Sequence, residues 1–246
     1  MANSTVTKPR ASKTTVALKV LMAVTGLIII LFLLVHMYGN LKMFMGADAY
    51  NHYAHWLKGM SEDGGILYPL IPSGGVVWIE RIGLLLCAVL HIYSAVTLWN
   101  RGHKARGSEH YKVNVGSKVR AGKTYQAMVM RYGGIVIVVW LVFHLLQFTA
   151  LKVTPGARAY SEADPYSNMV SAFNVWWVWA FYLIALIAIA LHVRHGVFSA
   201  LATLGLLTRT REYAFKLAGD VVAILLVVGF MAPPTAILFG AITYAA

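Results

Sequence analysis

Apolar and polar positions along the chain fall into long blocks and do not alternate residue by residue. Five apolar stretches lie near 17–41, 76–99, 129–151, 175–201 and 214–241, separated by polar segments rich in turn formers. A helix needs about 20 apolar residues to cross the hydrocarbon layer of a membrane, so each stretch predicts a transmembrane helix. Gly64-Gly65, Pro69, Pro72 and Gly74-Gly75 break the connection after the first stretch, and Pro155-Gly156 and Pro165 that after the third. The first stretch is too long for a signal-peptide core and no small-residue cleavage site follows it, so it is expected to be retained. The chain thus divides into a tail over 1–16 and a single five-helix domain over 17–246. The fold class expected is an all-α integral membrane protein.

Composition agrees with this pattern. Of 246 residues, 59% are hydrophobic and 12% charged, against roughly 45–50% and 25% in soluble domains. The single cysteine, Cys87, excludes a disulfide scaffold, and an iron–sulfur cluster or Cys-type zinc site made by this chain alone. The net charge of +12 would suit a nucleic acid ligand, but its distribution says otherwise. Lys8, Arg10 and Lys13 lie in the tail and Lys19 just after it. Arg101, Lys104, Arg106, Lys112, Lys118, Arg120 and Lys123 crowd the second connection, with Glu109 as its only acid. Arg194, Arg209, Arg211 and Lys216 surround the fourth. The first and third connections are mixed, with Asp48, Glu62, Asp63, Glu80, Glu162 and Asp164 against Lys42, Lys58, Arg81, Lys152 and Arg158. Basic loops stay on the cytoplasmic side. The N-terminus is therefore expected inside and the C-terminus outside, in a bacterial cell membrane, with the lipid as partner and no nucleic acid.

Nine histidines are present, and four of the five stretches contain at least one. A histidine within a span usually faces a bundle interior, and one alone is as well explained by packing against a neighbouring carbonyl. Four at related positions are not. His36, His91, His144 and His192 each fall about two-thirds of the way along their stretch. Successive helices run in opposite directions, which puts His36 with His144 in the outer half and His91 with His192 in the inner half. If the first four helices form an up-down bundle in sequence order, each pair faces across the bundle axis at one depth. That is the geometry of two stacked haems b, each held by two histidines, with layers about 10–15 Å apart at 1.5 Å rise per residue. Zinc would need three or four ligands close together. The small residues Gly26, Gly83, Cys87, Ala95, Gly133, Gly134, Ala185, Ala188 and Gly196 leave room for a flat macrocycle. His195 lies one turn from His192, and spacing alone leaves both available as the ligand. For the haem propionates, Arg131, Tyr132 and Arg194 are inner candidates. Arg81, Trp176 and Trp177 are outer ones, although the tryptophans fit an interfacial aromatic belt better.

Around these histidines the sequence resembles a known family. The motifs are His36-Met37-Tyr38-Gly39-Asn40, Leu90-His91-Ile92-Tyr93, Phe143-His144-Leu145-Leu146-Gln147-Phe148 and Leu191-His192-Val193-Arg194-His195-Gly196, in order on the first four helices. Together they resemble the cytochrome b membrane anchor of succinate dehydrogenases and quinol:fumarate reductases, in the class with one five-helix anchor and two haems. The resemblance implies that His192 is the fourth ligand, four positions before Gly196, in place of His195. It implies a flavoprotein subunit and an iron–sulfur subunit docked on the cytoplasmic side, with dicarboxylate chemistry on those chains. Electrons would pass through the haems to a quinone, with menaquinone implied. Some members carry a glutamate two residues before the helix-four ligand, where this chain has Ala190, and another in the outer loop, near Lys58 here. Their proton routes do not carry over.

A quinone needs titratable groups beside it, which His52, His55, Glu62, Asp63 and Arg81 bring to the outer face, with Tyr50 and Trp56 as flanking rings. The alternative is a site beside the inner haem, near Arg131 or His195. Two rival functions fit the pattern less well. A dihaem subunit of a nitrate reductase or hydrogenase would carry two ligands on one helix about a dozen or more residues apart, and no stretch here does. A haem-free transporter could use histidines for protons or metal, without needing paired depths.

Overall fold

The computed structural model describes residues 14–106 and 117–244. The basic residues Lys8, Arg10 and Lys13, and Glu109, His110 and Lys112, lie outside the described residues. Every regular element among the described residues is helical. In order they are α1 (Thr15–Leu41), a 3₁₀ turn (Lys42–Met45), α2 (Ala47–Lys58), α3 (Gly75–Arg106), α4 (Ser117–His144), a π-helical turn (Leu145–Thr149), α5 (Pro165–Phe173), α6 (Trp176–Thr203) and α7 (Glu212–Leu238). Five helices, α1, α3, α4, α6 and α7, are long and apolar enough to cross a membrane. Leucine, isoleucine, valine and alanine cover all sides of these helices, because lipid and neighbouring helices are equally apolar surroundings.

Packing centres on α1 and α6, which lie against each other. α3 packs on α1, α4 packs on α6, and α7 lies against both α6 and α1. Neither α3 with α4, nor α1 with α4, nor α3 with α6 makes extended contact. α7 approaches closely where it lacks side chains: a Cβ at Gly219 would come 2.5 Å from the carbonyl oxygen of Arg194, and one at Gly229 would strike Met37. Small residues permit such approach between membrane helices.

Two short helices were not anticipated from the sequence. α5 starts with Asp164 accepting from the Ser167 backbone N–H at 3.1 Å, followed by proline at the first helical position. Both are favourable helix-start chemistry. α2 ends at Gly59 in the left-handed conformation (φ 69°), where a side chain would also strike Gly74. The two helices are tied together by Asn51, which donates to Asp164 Oδ1 at 2.9 Å and accepts from the Tyr166 backbone N–H at 2.9 Å. Tyr166 in turn donates to the carbonyl of Thr243 at 3.1 Å, fastening the segment after α7 to the same cap. Beneath it lie Met43, Val170, Phe173, Val178, Tyr182 and Ile237, all buried.

Burial raises the Asp164 pKa, but hydrogen bonds from Ser167 and Asn51 and the nearby Arg158 charge outweigh it and hold the carboxyl below its ordinary 3.8. A depressed pKa contributes stability above the unfolded value, and that contribution is lost as pH falls through the folded one. Asp164→Ala should therefore lower the melting temperature in detergent, by the equivalent of about 1 kcal/mol for a lost N-cap. The gap from wild type should be full at pH 6 and narrow below pH 3.8. A gap unchanged down to pH 2.5 would show that the carboxylate charge contributes nothing.

Candidate functional site: two facing imidazole pairs

The four histidines singled out above meet in two pairs. His36 on α1 faces His144 on α4 with ring centroids 6.1 Å apart. His91 on α3 faces His192 on α6 at 6.3 Å. Both pairs span the diagonals along which the helices themselves make no extended contact. The separation is informative. A direct hydrogen bond of about 2.9 Å between imidazoles would put their centres roughly 5.2 Å apart. Two imidazoles on opposite sides of one metal, with bonds of about 2.0–2.1 Å, would have centres roughly 6.3 Å apart. The observed separations are too long for a direct hydrogen bond and leave room for a metal between the rings.

Depth follows from what each ring rests on. A Cβ on Gly26 would lie 3.1 Å from His91 Cε1, and one on Gly134 would lie 3.8 Å from His192 Cε1. Gly26 precedes His36 by ten residues on α1, and Gly134 precedes His144 by ten on α4. At 1.5 Å per residue both helices put the two pairs about 15 Å apart along the axis. The ring facing His91 is that of His192; His195 is half-buried one turn further on.

On two of the four rings Nδ1 has a protein partner, and on His192 it has none. His91 Nδ1 lies 3.0 Å from the Met22 carbonyl and 3.3 Å from Thr25 Oγ1, itself bonded to the Leu21 carbonyl at 2.7 Å. The carbonyl can only accept, so Nδ1 of His91 donates and Nε2 keeps its lone pair. His144 Nδ1 lies 3.2 Å from the Tyr182 hydroxyl, which donates to Gln147 Oε1 at 2.8 Å. Gln147, fully buried, donates to the Tyr160 hydroxyl at 3.2 Å, and Tyr160 donates to the Pro155 carbonyl at 3.0 Å. Burial, against the Gln147 hydrogen bond and with help from Tyr244, pushes the Tyr160 phenol up to about 12, so it keeps its proton.

A bound group must suit this donor set. Among the described residues no three His, Cys, Asp or Glu side chains gather as a metal cage. Each pair offers two ring nitrogens and no third protein ligand, which would suit a porphyrin bringing its own nitrogens and does not suit a bare zinc ion. A Cβ at Gly83, Gly133 or Gly196 would meet no atom within 4 Å, so there is open space beside α3, α4 and α6. Buried polar atoms without partners include Ser94 Oγ and Trp99 Nε1, in the two turns after His91, and Trp140 Nε1, one turn before His144. Buried polar atoms are normally satisfied, and a haem with its propionates supplies acceptors. Both observations fit the group.

The remaining sequence candidates lie as follows. Arg131 stacks over Trp99, 5.1 Å from its centre, beside the unpaired Trp99 nitrogen. Arg194 is ion-paired with Asp220 on α7. Arg81 covers Trp78, and Tyr132, Trp176 and Trp177 are exposed. Tyr50, His52, His55 and Trp56 sit on α2, with Glu62 and Asp63 exposed in the loop after it. His52 is exposed, whereas His55 Nε2 is buried without a partner. Sequence reasoning did not reach Thr25, Ser94, Trp99, Trp140, Tyr160 or Tyr182. Polar residues three or four positions from a span histidine, as Ser94 and Gln147 are, were the available signal.

Because Gly26 seats the His91 ring, Gly26→Leu should displace that imidazole and leave the other pair intact. If the pairs hold haem, pyridine haemochrome per chain should drop by one, as in His91→Ala. Unchanged content would overturn the seating role. Comparison with known proteins gives no guide here, for no family model, no curated protein and no solved structure matches the chain.

Proposed function

We propose that the chain is the dihaem cytochrome b membrane anchor of a succinate:quinone oxidoreductase. The observation that carries this reading is the two pairs of imidazoles on opposite helices, about 15 Å apart along the helix axes. His36 and His144 would hold the outer haem, His91 and His192 the inner one. When bound, the two haems supply one-electron carriage between an iron–sulfur subunit and a quinone, with no open iron position for oxygen chemistry. The motifs around the four histidines support the assignment to succinate dehydrogenase. Its flavoprotein and iron–sulfur subunits would dock on the basic cytoplasmic end. The N-terminus would be cytoplasmic and the C-terminus outside, in a bacterial cell membrane.

The chain's own residues have three tasks in this scheme. Met22, Thr25 and Tyr182 fix which nitrogen of His91 and His144 faces the metal. Ser94, Trp99 and Arg131 offer donors for the inner propionates, in addition to Tyr132 and Arg194. On the α2 side, His55 brings a buried, unpaired ring nitrogen to a quinone carbonyl, with menaquinone as the quinone the family resemblance suggests. Tyr50 and Trp56 would flank it, and Glu62 and Asp63 would reach it through water.

The purified complex should contain two b haems per chain and reduce a quinone with succinate; one haem or none would sink the reading. The pairs should also differ by electron paramagnetic resonance. Their ring planes cross at 85° for His36–His144 and 56° for His91–His192. Were both pairs to hold low-spin ferric haem, the imidazole planes crossing nearer to a right angle would give the wider spread of g values. The wider signal should vanish in His144→Ala and persist in His91→Ala. For the quinone, His55→Ala should lower turnover at least tenfold with both haems retained, while exposed His52→Ala changes it little. Full turnover in His55→Ala would move the quinone elsewhere.

A further inference from the structure

We infer that Tyr182, Gln147 and Tyr160 form a positioning relay that sets the redox poise of the outer haem through His144; this rests on the dihaem reading above. The relay is a directed chain of hydrogen bonds, and its direction is set at the far end. The Pro155 carbonyl has no proton to give, so the Tyr160 hydroxyl, 3.0 Å away, spends its proton there. Tyr160 can then only accept from the Gln147 amide, at 3.2 Å. That orients the amide, whose oxygen is left to accept the Tyr182 proton at 2.8 Å. Tyr182 has one proton and has used it, so toward His144 Nδ1, at 3.2 Å, its oxygen accepts. His144 is thereby held as the tautomer protonated on Nδ1, which leaves the Nε2 lone pair as the one that would hold a metal.

The chain does more than choose a tautomer. An imidazole that donates from Nδ1 is a more basic ligand at Nε2, and each successive donor polarises the one before it. A more basic axial ligand favours the ferric over the ferrous state. The helix supplying His144 passes directly into the π-helical turn carrying Gln147, where the Ala150 N–H reaches back five residues to the Leu145 carbonyl. Such turns within helices often occur at functional sites. Here the turn places ligand and amide on the same buried polar path. Tyr182 is fixed from its other sides by edge contacts with Trp140, Phe143 and Phe173, so its hydroxyl is aimed by packing.

The test is potentiometric titration of the two haems in the intact complex, with wild-type haem content measured first. An absence of two haems there would refute the dihaem reading itself. With two present, Tyr182→Phe should lower the oxidised-to-reduced ratio of the outer haem about fivefold at fixed potential, a rise of ~40 mV for one electron. The inner haem should not move. Tyr160→Phe removes only a hydroxyl far from the metal and frees the amide to turn, so it should shift the outer haem the same way by a smaller amount. Should Tyr182→Phe lose the outer haem, the Tyr160→Phe titration decides alone. An outer haem unmoved in Tyr160→Phe and in any haem-retaining Tyr182→Phe, or both haems shifting equally, would overturn the relay.

Discussion

A polar ring inside an apolar bundle must be satisfied by the protein or by something the protein holds, and four imidazoles impose that demand on four helices. A buried polar atom left without a partner costs about 1–3 kcal/mol. The facing rings are too far apart to satisfy one another, at 6.1 and 6.3 Å between centroids. The helices respect this demand in their arrangement. α1 and α6 form a packed spine, with α3 on one flank and α4 on the other. The diagonals α1/α4 and α3/α6, where direct packing is slight, are the lines that the ring pairs span. A group gripped by both rings of a pair would therefore join helices that have little else to join them, and its binding would be coupled to assembly of the bundle.

The two ends of the molecule solve different problems. At one end α2, α5 and the segment after α7 are knotted together by Asn51, Asp164 and Tyr166 above an aromatic layer of Phe148, Phe173 and Tyr182. Polar groups there are mostly paired, and the histidine beneath is reached through an ordered chain of side chains. At the other end α3 continues to Arg106 and α4 begins at Ser117, so these helices run past the apolar stretches that define the spans. Arg194 is held there by Asp220. The exposed Lys216–Glu212 pair on α7 contributes little, as surface pairs do. One end is thus closed by its own chain, and the other carries the extended ends of α3 and α4.

Legibility in the sequence followed the severity of the physical constraint. Hydrocarbon tolerates only long apolar helices, so the five spans could be read directly, and the histidines stood out as exceptions within them. Their boundaries were less legible for α3 and α4, because a helix may continue into water once polar residues take over. α2 and α5 were missed for a related reason: each is short and mixed in character, and its stability comes from tertiary packing more than from pattern. Asp164-Pro165 carried a readable start signal, whereas the Asn51 bridge between the two helices depends on a contact 113 positions away and could not be read. The same holds for Tyr182. Its hydroxyl resembles any interfacial tyrosine until the fold sets it beside His144 and Gln147. Arg194 shows the converse, since a cation that looked free in the sequence is engaged by Asp220 from the next helix.

The glycines complete the geometry. Gly26 and Gly134 stand ten residues before His36 and His144, so each of α1 and α4 supplies an imidazole at one depth and a bare backbone seat at the other. The rings seated there, His91 and His192, belong to α3 and α6. Two different helices thus measure the same interval, about 15 Å, by the same count of residues. Helix rise is set by backbone hydrogen bonds and varies little, whereas loops tolerate changes in length and sequence. The spacing between the two pairs is therefore insulated from the connections at either end. It responds only to changes within α1 and α4 that alter the ten-residue count or fill the glycine seats.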